Sequence, residues 1–290
     1  MLTNIKFLLQ ACQNLGIKYE ILHPHRNLVR VIIPREPSQG ASYSYHYFTN
    51  YSTPLLAQSV AEICKDKYYC HQVWQNVIRM PCTKSFLSPY CDEKYREYLE
   101  FFSTKDIAQD ISQNFTYPVI VKRNRGSGGS NVFQCHDLHE IQQSLDTIFD
   151  VASKSYDYVA IAQEPIQIVK EYRCVCLQHQ PMLVYEKDIS KAHFIGNLSP
   201  LHWEGAIAKQ ITDAQEIDLI AKFIAPIFTE TPSMIYVGLD IAIDDQDRYW
   251  LIEANSHPNF DIFVRDNGSE PVVNLFEKIL SVLERGIEVL

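Results

Sequence analysis

The sequence predicts an α+β fold. Apolar residues recur at helical spacing behind recognisable N-caps, and short β-branched runs alternate with these helices. Near the C-terminus two such runs are separated by a hairpin-like turn. At 290 residues, 46% of them hydrophobic, the chain is long enough for one large core or two smaller ones. The net charge of −9 argues against sequence-independent nucleic-acid binding, which relies on phosphate-neutralising positive charge. No apolar run approaches the roughly 20 residues of a membrane-spanning helix, so no membrane partner is expected.

The N-terminus is interrupted by Asn4, Lys6, Gln10, Gln13 and Asn14. With Ile5, Leu8, Leu9 and Cys12 at i, i+3, i+4 and i+7, it predicts an amphipathic helix rather than a secretory signal. Strand-like runs follow at 16–22 and 28–34, and the Pro/Ser/Tyr-rich stretch 34–47 reads as loop. Thr53-Pro54 reads as an N-cap with proline at the first helical position, ahead of a stripe of Leu56, Val60 and Ile63. A second helix follows Asp66-Lys67 and is expected to end near Met80-Pro81. Residues 85–117 are polar and aromatic, and their charged run reads as a solvated helix face.

A strand at 117–122, a glycine loop and a short strand at 132–135 come next. Asp137 with Glu140 and Asp213 with Glu216 read as capping boxes opening helices. His136 and His139 read as part of the first helix's surface rather than as metal ligands, since no third ligand is near. Strands are expected at 158–166, 172–178 and 181–187, then a long connection over 188–210. Two strands at 236–244 and 249–255 are joined through Asp-Gln-Asp-Arg, and a final helix carries Leu275, Ile279, Val282 and Leu283. The eight cysteines form no C-x-x-C pair and read as buried, reduced thiols of a cytoplasmic protein.

Two clusters carry chemistry. Three of only ten glycines fall within Gly126-Ser127-Gly128-Gly129, followed by Ser130. Glycine permits positive φ and close backbone approach, so successive N–H groups can face an anion, and Lys122 at the end of the preceding strand adds a compact positive charge. The loop is neither a Walker loop nor a dinucleotide fingerprint. At the C-terminal end, Asp240 lies in one apolar strand, with Glu253 and Asn255 on one face of the next. Two carboxylates and an amide are hard-oxygen donors suited to Mg²⁺. Between these clusters, alternation puts Glu171 and Arg173 on one strand face. Arg173 and Lys187 are then placed to address a transferring phosphoryl group.

Taken together, D-K at 66–67, P-V-I-V-K at 118–122, G-S-G-G at 126–129, E-x-R at 171–173, G-L-D at 238–240 and E-A-N at 253–255 resemble the ATP-grasp superfamily. The likeness runs from about Thr53 to Phe260. The segment from Ser52 to Phe86 is similar to the glutathione-synthetase-like and cyanophycin-synthetase-like ligases, and F-I-G-N-L-S around Asn197 looks like a loop of glutamate-ligase-like members. The resemblance implies two α+β subdomains clamping ATP: a short N-terminal region at 1–52, then an ATP-grasp domain over 53–290, its subdomains about 82–160 and 161–290.

It also implies roles. Lys67 and Lys122 would contact ATP phosphates under a closing loop of Gly126, Ser127, Gly128, Gly129 and Ser130. Gln163, Glu164 and Ile166 would form the hinge facing adenine, and Glu171 would hold the ribose. Arg173 and Lys187 would stabilise the γ-phosphate in transfer. Asp240, Glu253 and Asn255 would hold Mg²⁺, with Mn²⁺ as an alternative. The implied activity is an ATP-dependent carboxylate–amine ligase working through an acyl phosphate, on an amino acid or peptide. A small-molecule kinase of the polyol type and a non-catalytic nucleotide-binding module are the alternatives. No general base is evident; His257 and His193 are candidates, and Arg265 reads as surface. The short region before Thr53 implies a substrate site that is open or completed by another chain, as in a homodimer.

Overall fold

The computed structural model describes residues 2–34, 42–194, 196 and 198–286. Its first helix, α1 (Thr3–Leu15), buries Ile5, Leu8, Leu9 and Cys12 as the spacing predicts. It ends at Gly16, whose left-handed conformation (φ 66°) closes the C-cap. β1 (Lys18–Ile21), β2 (Leu28–Pro34) and β3 (Tyr43–Thr49) follow as an antiparallel sheet in that order. The stretch expected as loop is therefore partly strand. Tyr43, Tyr45 and Tyr47 point outward and Phe48 inward, and tyrosine suits such a half-buried pleat.

Thr53-Pro54 does not open a helix. Thr53 Oγ1 accepts the Leu55 N–H at 3.4 Å in a turn, and α2 (Gln58–Lys65) starts after Ala57. α3 (Lys67–Trp74) is capped by Asp66, which accepts the Tyr69 N–H at 2.9 Å. It stops at Trp74, short of Met80. The buried indole donates to Thr231 Oγ1 at 3.0 Å, and the N–H groups of Val77 and Ile78 both turn back onto the Trp74 carbonyl.

β4 (Thr83–Leu87), α4 (Thr104–Asn114), β5 (Val119–Arg123), β6 (Val132–Cys135), α5 (Leu138–Ile148) and β7 (Val159–Gln163) make one α+β half. The sheet order is β4-β7-β5-β6, antiparallel throughout. Val119 and Val121 pack on Ile107, Ile111, Ile141 and Leu145 of the two helices. α4 went unread in the polar 85–117 stretch because it buries only Thr104, Ile107, Ala108 and Ile111. The charged run there is a 3-10 turn (Glu93–Tyr98) with no buried residue, the solvated surface expected. Asp137 caps α5 by accepting the Glu140 N–H at 2.8 Å, while Glu140 reaches back to the N–H of His136 rather than that of Asp137.

The other half holds β8 (Ile168–Leu177), β9 (Gln180–Asp188), β10 (Ile207–Gln210), α6 (Ala214–Glu230), β11 (Tyr236–Asp244), β12 (Tyr249–Asn255), α7 (Asp261–Asn267) and α8 (Glu270–Arg285). Its antiparallel sheet runs β10-β9-β8-β11-β12. β10 lies inside the expected long connection; four residues are too few for alternation to show. One sheet face packs on α6, α2 and α3 through Cys174, Leu239, Ile241, Ile220, Ile224, Cys64 and Trp74. The opposite face, at its Val175–Leu183–Tyr236 end, shares a core with α1, β2, β3, α7 and α8. Each buried Leu, Ile or Phe there contributes roughly 1.5–3 kcal/mol, so residues of the first 52 are anchored on this sheet. The described cysteines are free thiols, all buried except Cys82.

Candidate active site

Cross-strand partners in an antiparallel sheet share a face. Arg173 lies opposite Asp240, Asp240 opposite Glu253, and Gly238 opposite Asn255. Residues 237, 239, 241 and 243 of β11 point into the α6 core, so Asp240 points the other way. A bulge after Asp240 matches Asp240 to Glu253 while Ile241 meets Leu251, which keeps both Leu251 and Ala254 in the core and Glu253 out of it. One sheet face thereby gathers Glu171, Arg173, Lys187, Asp240, Glu253 and Asn255. Gly238 makes room for this. A Cβ there would stand 3.2 Å from Pro258 Cβ and 3.4 Å from Arg173 Cδ.

The charges are mutually satisfied. Arg173 grips Asp240 with two N–H groups, one of them at 2.7 Å to Oδ2. Lys187 Nζ donates to Asp240 Oδ2 at 3.0 Å and also to Glu171. Burial opposes charge on each group, and the neighbours decide the outcome. The Arg173 and Lys187 charges outweigh burial and hold Asp240 well below the usual carboxylate range. Burial is likewise outweighed at Lys187, where Asp240 and Glu171 raise the pKa above the ordinary lysine value. At Glu171 burial prevails over Lys187, and the pKa is raised.

The other wall comes from β5, β7 and α3. Lys122 Nζ donates to Gln163 Oε1 at 2.8 Å, and Gln163 Nε2 donates to Thr83 Oγ1 at 2.8 Å. Burial first, and the nearby Lys67 charge second, lower Lys122 to about 8. Lys67 Nζ donates to the Gly126 carbonyl at 2.8 Å and lies 3.6 Å from Glu253 Oε2. The glycine loop, the D-K lysine and the last acidic strand therefore meet. Gly126, Gly128 and Gly129 all have positive φ (147°, 69° and 70°). The φ of Gly126 is one that side-chain-bearing residues rarely adopt, and a Cβ there would also displace the Arg123 guanidinium, whose Nε would lie 2.0 Å away. Ser127, Gly128 and Ser130 are exposed.

The hinge residues are placed differently from one another. Gln163 is buried and spends its side chain on Lys122 and Thr83, so any part it has in the hinge is through its backbone. The Glu164 N–H donates to Cys82 O at 3.0 Å, and the Ile166 carbonyl accepts from Ile168 N at 2.9 Å. The groups these bonds do not use are the Glu164 carbonyl and the Ile166 N–H. Asn197 lies outside the described residues. Arg265 Nη2 donates to Ala206 O at 3.0 Å and pairs with Asp266, the structural use expected of a surface arginine. His257 Nδ1 sits 2.6 Å from Ser256 Oγ, and burial, then Lys65, lowers its pKa.

Among the described residues no three His, Cys, Asp or Glu side chains gather as a metal cluster. The donor set proposed from sequence is instead two carboxylates and an amide on neighbouring register positions. All three offer oxygen, one carboxylate is held firmly ionised, and the set suits a hard divalent cation. Asn124, Arg125 and Asp157 also shape this site and were not singled out from sequence. The first two stand between Lys122 and Gly126, a placement that could have drawn attention to them.

Against known families, residues 65–282 match the RimK-like ATP-grasp domain. The chain belongs to that family. Among solved structures, this RimK-like domain is similar to the D-Ala:D-Ser ligase VanG from Enterococcus faecalis (15% identity, TM-score 0.52, covering 76% of this chain and 62% of that one). It is also similar to the D-alanine–D-alanine ligase from Bacillus anthracis complexed with ATP (16%, TM-score 0.51, 77% and 65%). The chain thus spans less than two thirds of these structures, and the likeness establishes the ATP-grasp fold. No curated protein sequence matches. Among the described residues no helix is long and apolar enough to cross a membrane.

Proposed function

We propose that this chain is an ATP-dependent carboxylate–amine ligase, releasing ADP and phosphate. One observation supports this most: Lys67 Nζ stands between the Gly126 carbonyl (2.8 Å) and Glu253 Oε2 (3.6 Å), so the phosphate loop and the metal-donor face close on one point. Family membership and the ligase fold of its neighbours point the same way.

In this reading Lys67, Lys122 and the Gly126–Ser130 amides hold the nucleotide phosphates. The Glu164 carbonyl and the Ile166 N–H face adenine, and Glu171 is offered to the ribose. Asp240, Glu253 and Asn255 would hold Mg²⁺, which would supply positive charge against that of the phosphates. Phosphoryl transfer is mainly positioning and charge neutralisation, and Arg173 and Lys187 line the face where that charge develops. A carboxylate oxygen of the substrate attacks the γ-phosphorus and ADP leaves. The amine then attacks the acyl carbon, phosphate departs, and an amide remains. The closed glycine loop shields the acyl phosphate from water. His257, neutral and half-buried beside Asn255, is the candidate to take the amine proton. The substrates are an amino acid or peptide carboxylate and an amine. A homodimer and a cytoplasmic location complete the proposal.

Calorimetry should show Mg²⁺-dependent binding of ADP. Phosphate release with a panel of amino acids should yield an amide by product mass. A phosphorylated alcohol would favour a kinase. No Mg²⁺-dependent nucleotide uptake by folded protein would end the enzyme reading.

A further inference from the structure

The glycine loop springs from one half of the molecule, and the other half grips its root. Arg123, Asn124 and Arg125 leave β5, whose apolar side packs with α4 and α5. α2 and α3 pack through Val60, Cys64, Cys70 and Trp74 on the five-stranded sheet. The two parts meet where Asp66 and Arg125 form an isolated antiparallel bridge. Arg125 Nε donates to Asp66 Oδ2 at 3.3 Å, and Nη1 lies 3.3 Å from Glu62 Oε2. Its main-chain N–H donates to Asp157 Oδ2 at 2.6 Å. Next to it, the Asn124 carbonyl accepts the Lys67 N–H at 3.4 Å and Asn124 Oδ1 accepts the Tyr68 N–H at 2.9 Å. The outcome is the 2.8 Å contact from Lys67 Nζ to Gly126 O.

We propose that Arg125 is a positioning residue: its guanidinium clasps the root of the glycine loop to the α2–α3 corner and sets the loop's place over the phosphates. The consequence for turnover rests on the ligase reading above; the clasp itself does not. An isolated exposed ion pair contributes little. Here the side chain of Asp66 is only 4% exposed and already caps α3, and one planar guanidinium addresses carboxylates on either side of the α2–α3 corner. A lysine offers a single point charge and cannot span both.

The test uses the whole chain and three variants: Arg125→Ala, Arg125→Lys and Glu62→Gln. In nucleotide-free protein, hydrogen exchange of the Lys67 and Tyr68 amides, which donate to Asn124 at the loop root, should rise about tenfold in Arg125→Ala, on the scale of one charge-assisted hydrogen bond, while β5 amides keep their protection. Glu62→Gln, at a half-buried helix position, should move the same amides less, and Arg125→Lys should restore only part. In turnover, Arg125→Ala should raise the KM for ATP about tenfold with kcat within about threefold, and more phosphate should be released per amide formed. Unchanged exchange of the Lys67 and Tyr68 amides in Arg125→Ala and Glu62→Gln would overturn the clasp. Raised exchange with unchanged KM and unchanged coupling would overturn its positioning role. If wild-type protein bound no Mg²⁺–nucleotide, the ligase reading would fall, while the exchange result would still decide the clasp.

Discussion

Lys122 and Lys187 are about equally buried, 6% and 7% exposed, on facing walls of one cleft, yet they titrate in opposite directions. Lys187 is enclosed by Asp240 and Glu171, and its pKa is raised above the ordinary lysine value. Lys122 hydrogen-bonds only the neutral oxygen of Gln163, and burial with the repulsion of Lys67 outweighs the more remote attraction of Glu253 and Glu171 and lowers it to about 8. A buried ammonium without a counter-charge is costly. The C-terminal wall has its counter-charges built in, whereas the N-terminal wall is short of one anion. A phosphate would supply it.

Removing the built-in charge should break the comparison most. Asp240→Asn leaves Lys187 with Glu171 and Arg173 with only the charge of Glu253, and chemical denaturation should show a loss of about 3–5 kcal/mol, the usual result of orphaning one side of a buried ion pair. Lys122→Met should do the reverse. It removes an uncompensated buried charge, so stability should hold or rise, while ADP–Mg²⁺ affinity measured by calorimetry falls about 10–100-fold, the worth of a charge-assisted hydrogen bond of about 1.5–3 kcal/mol.

pH sharpens the same contrast. Below pH 8 Lys122 is charged in folded and unfolded chains alike, and its burial penalty is fully present. Between about 8 and the unfolded value of 10.5 the unfolded chain binds more protons, so this group makes stability rise with pH. Nucleotide affinity should fall over the same range, by at most about tenfold per pH unit, because the bound phosphate needs the charged form. Lys122→Met should flatten both profiles; an unchanged affinity profile would remove Lys122 from the phosphate site. The smallest effect is expected at Gly238→Ala. Pro258 must yield by a few tenths of an ångström, so a loss of about 1 kcal/mol is predicted by thermal unfolding, within the usual range for overpacking.

Much of this site is legible in the sequence because strands have a period of two. Glu171 and Arg173, and Glu253 and Asn255, share faces by spacing alone, and the glycine cluster advertises its own backbone freedom. The hinge was less legible. Nothing local shows that Gln163 turns inward to Lys122, since the choice depends on Ile120 standing opposite Gln163 across the β5–β7 pair. α4 and β3 were missed because a short, half-exposed element carries too few apolar residues to display its period.

By itself, then, the sequence determined which residue types could do the chemistry, the caps on α5 and α6, and the alternation that sorts each strand into two faces. Those properties act over a few residues and need no distant partner. Tertiary structure alone decided which lysine receives a carboxylate, that Asp66 and Arg125 meet across two halves of the molecule, and that residues of the first 52 share a core with α8. Each of these joins positions far apart in the chain, and their energies depend on burial that only the assembled fold creates.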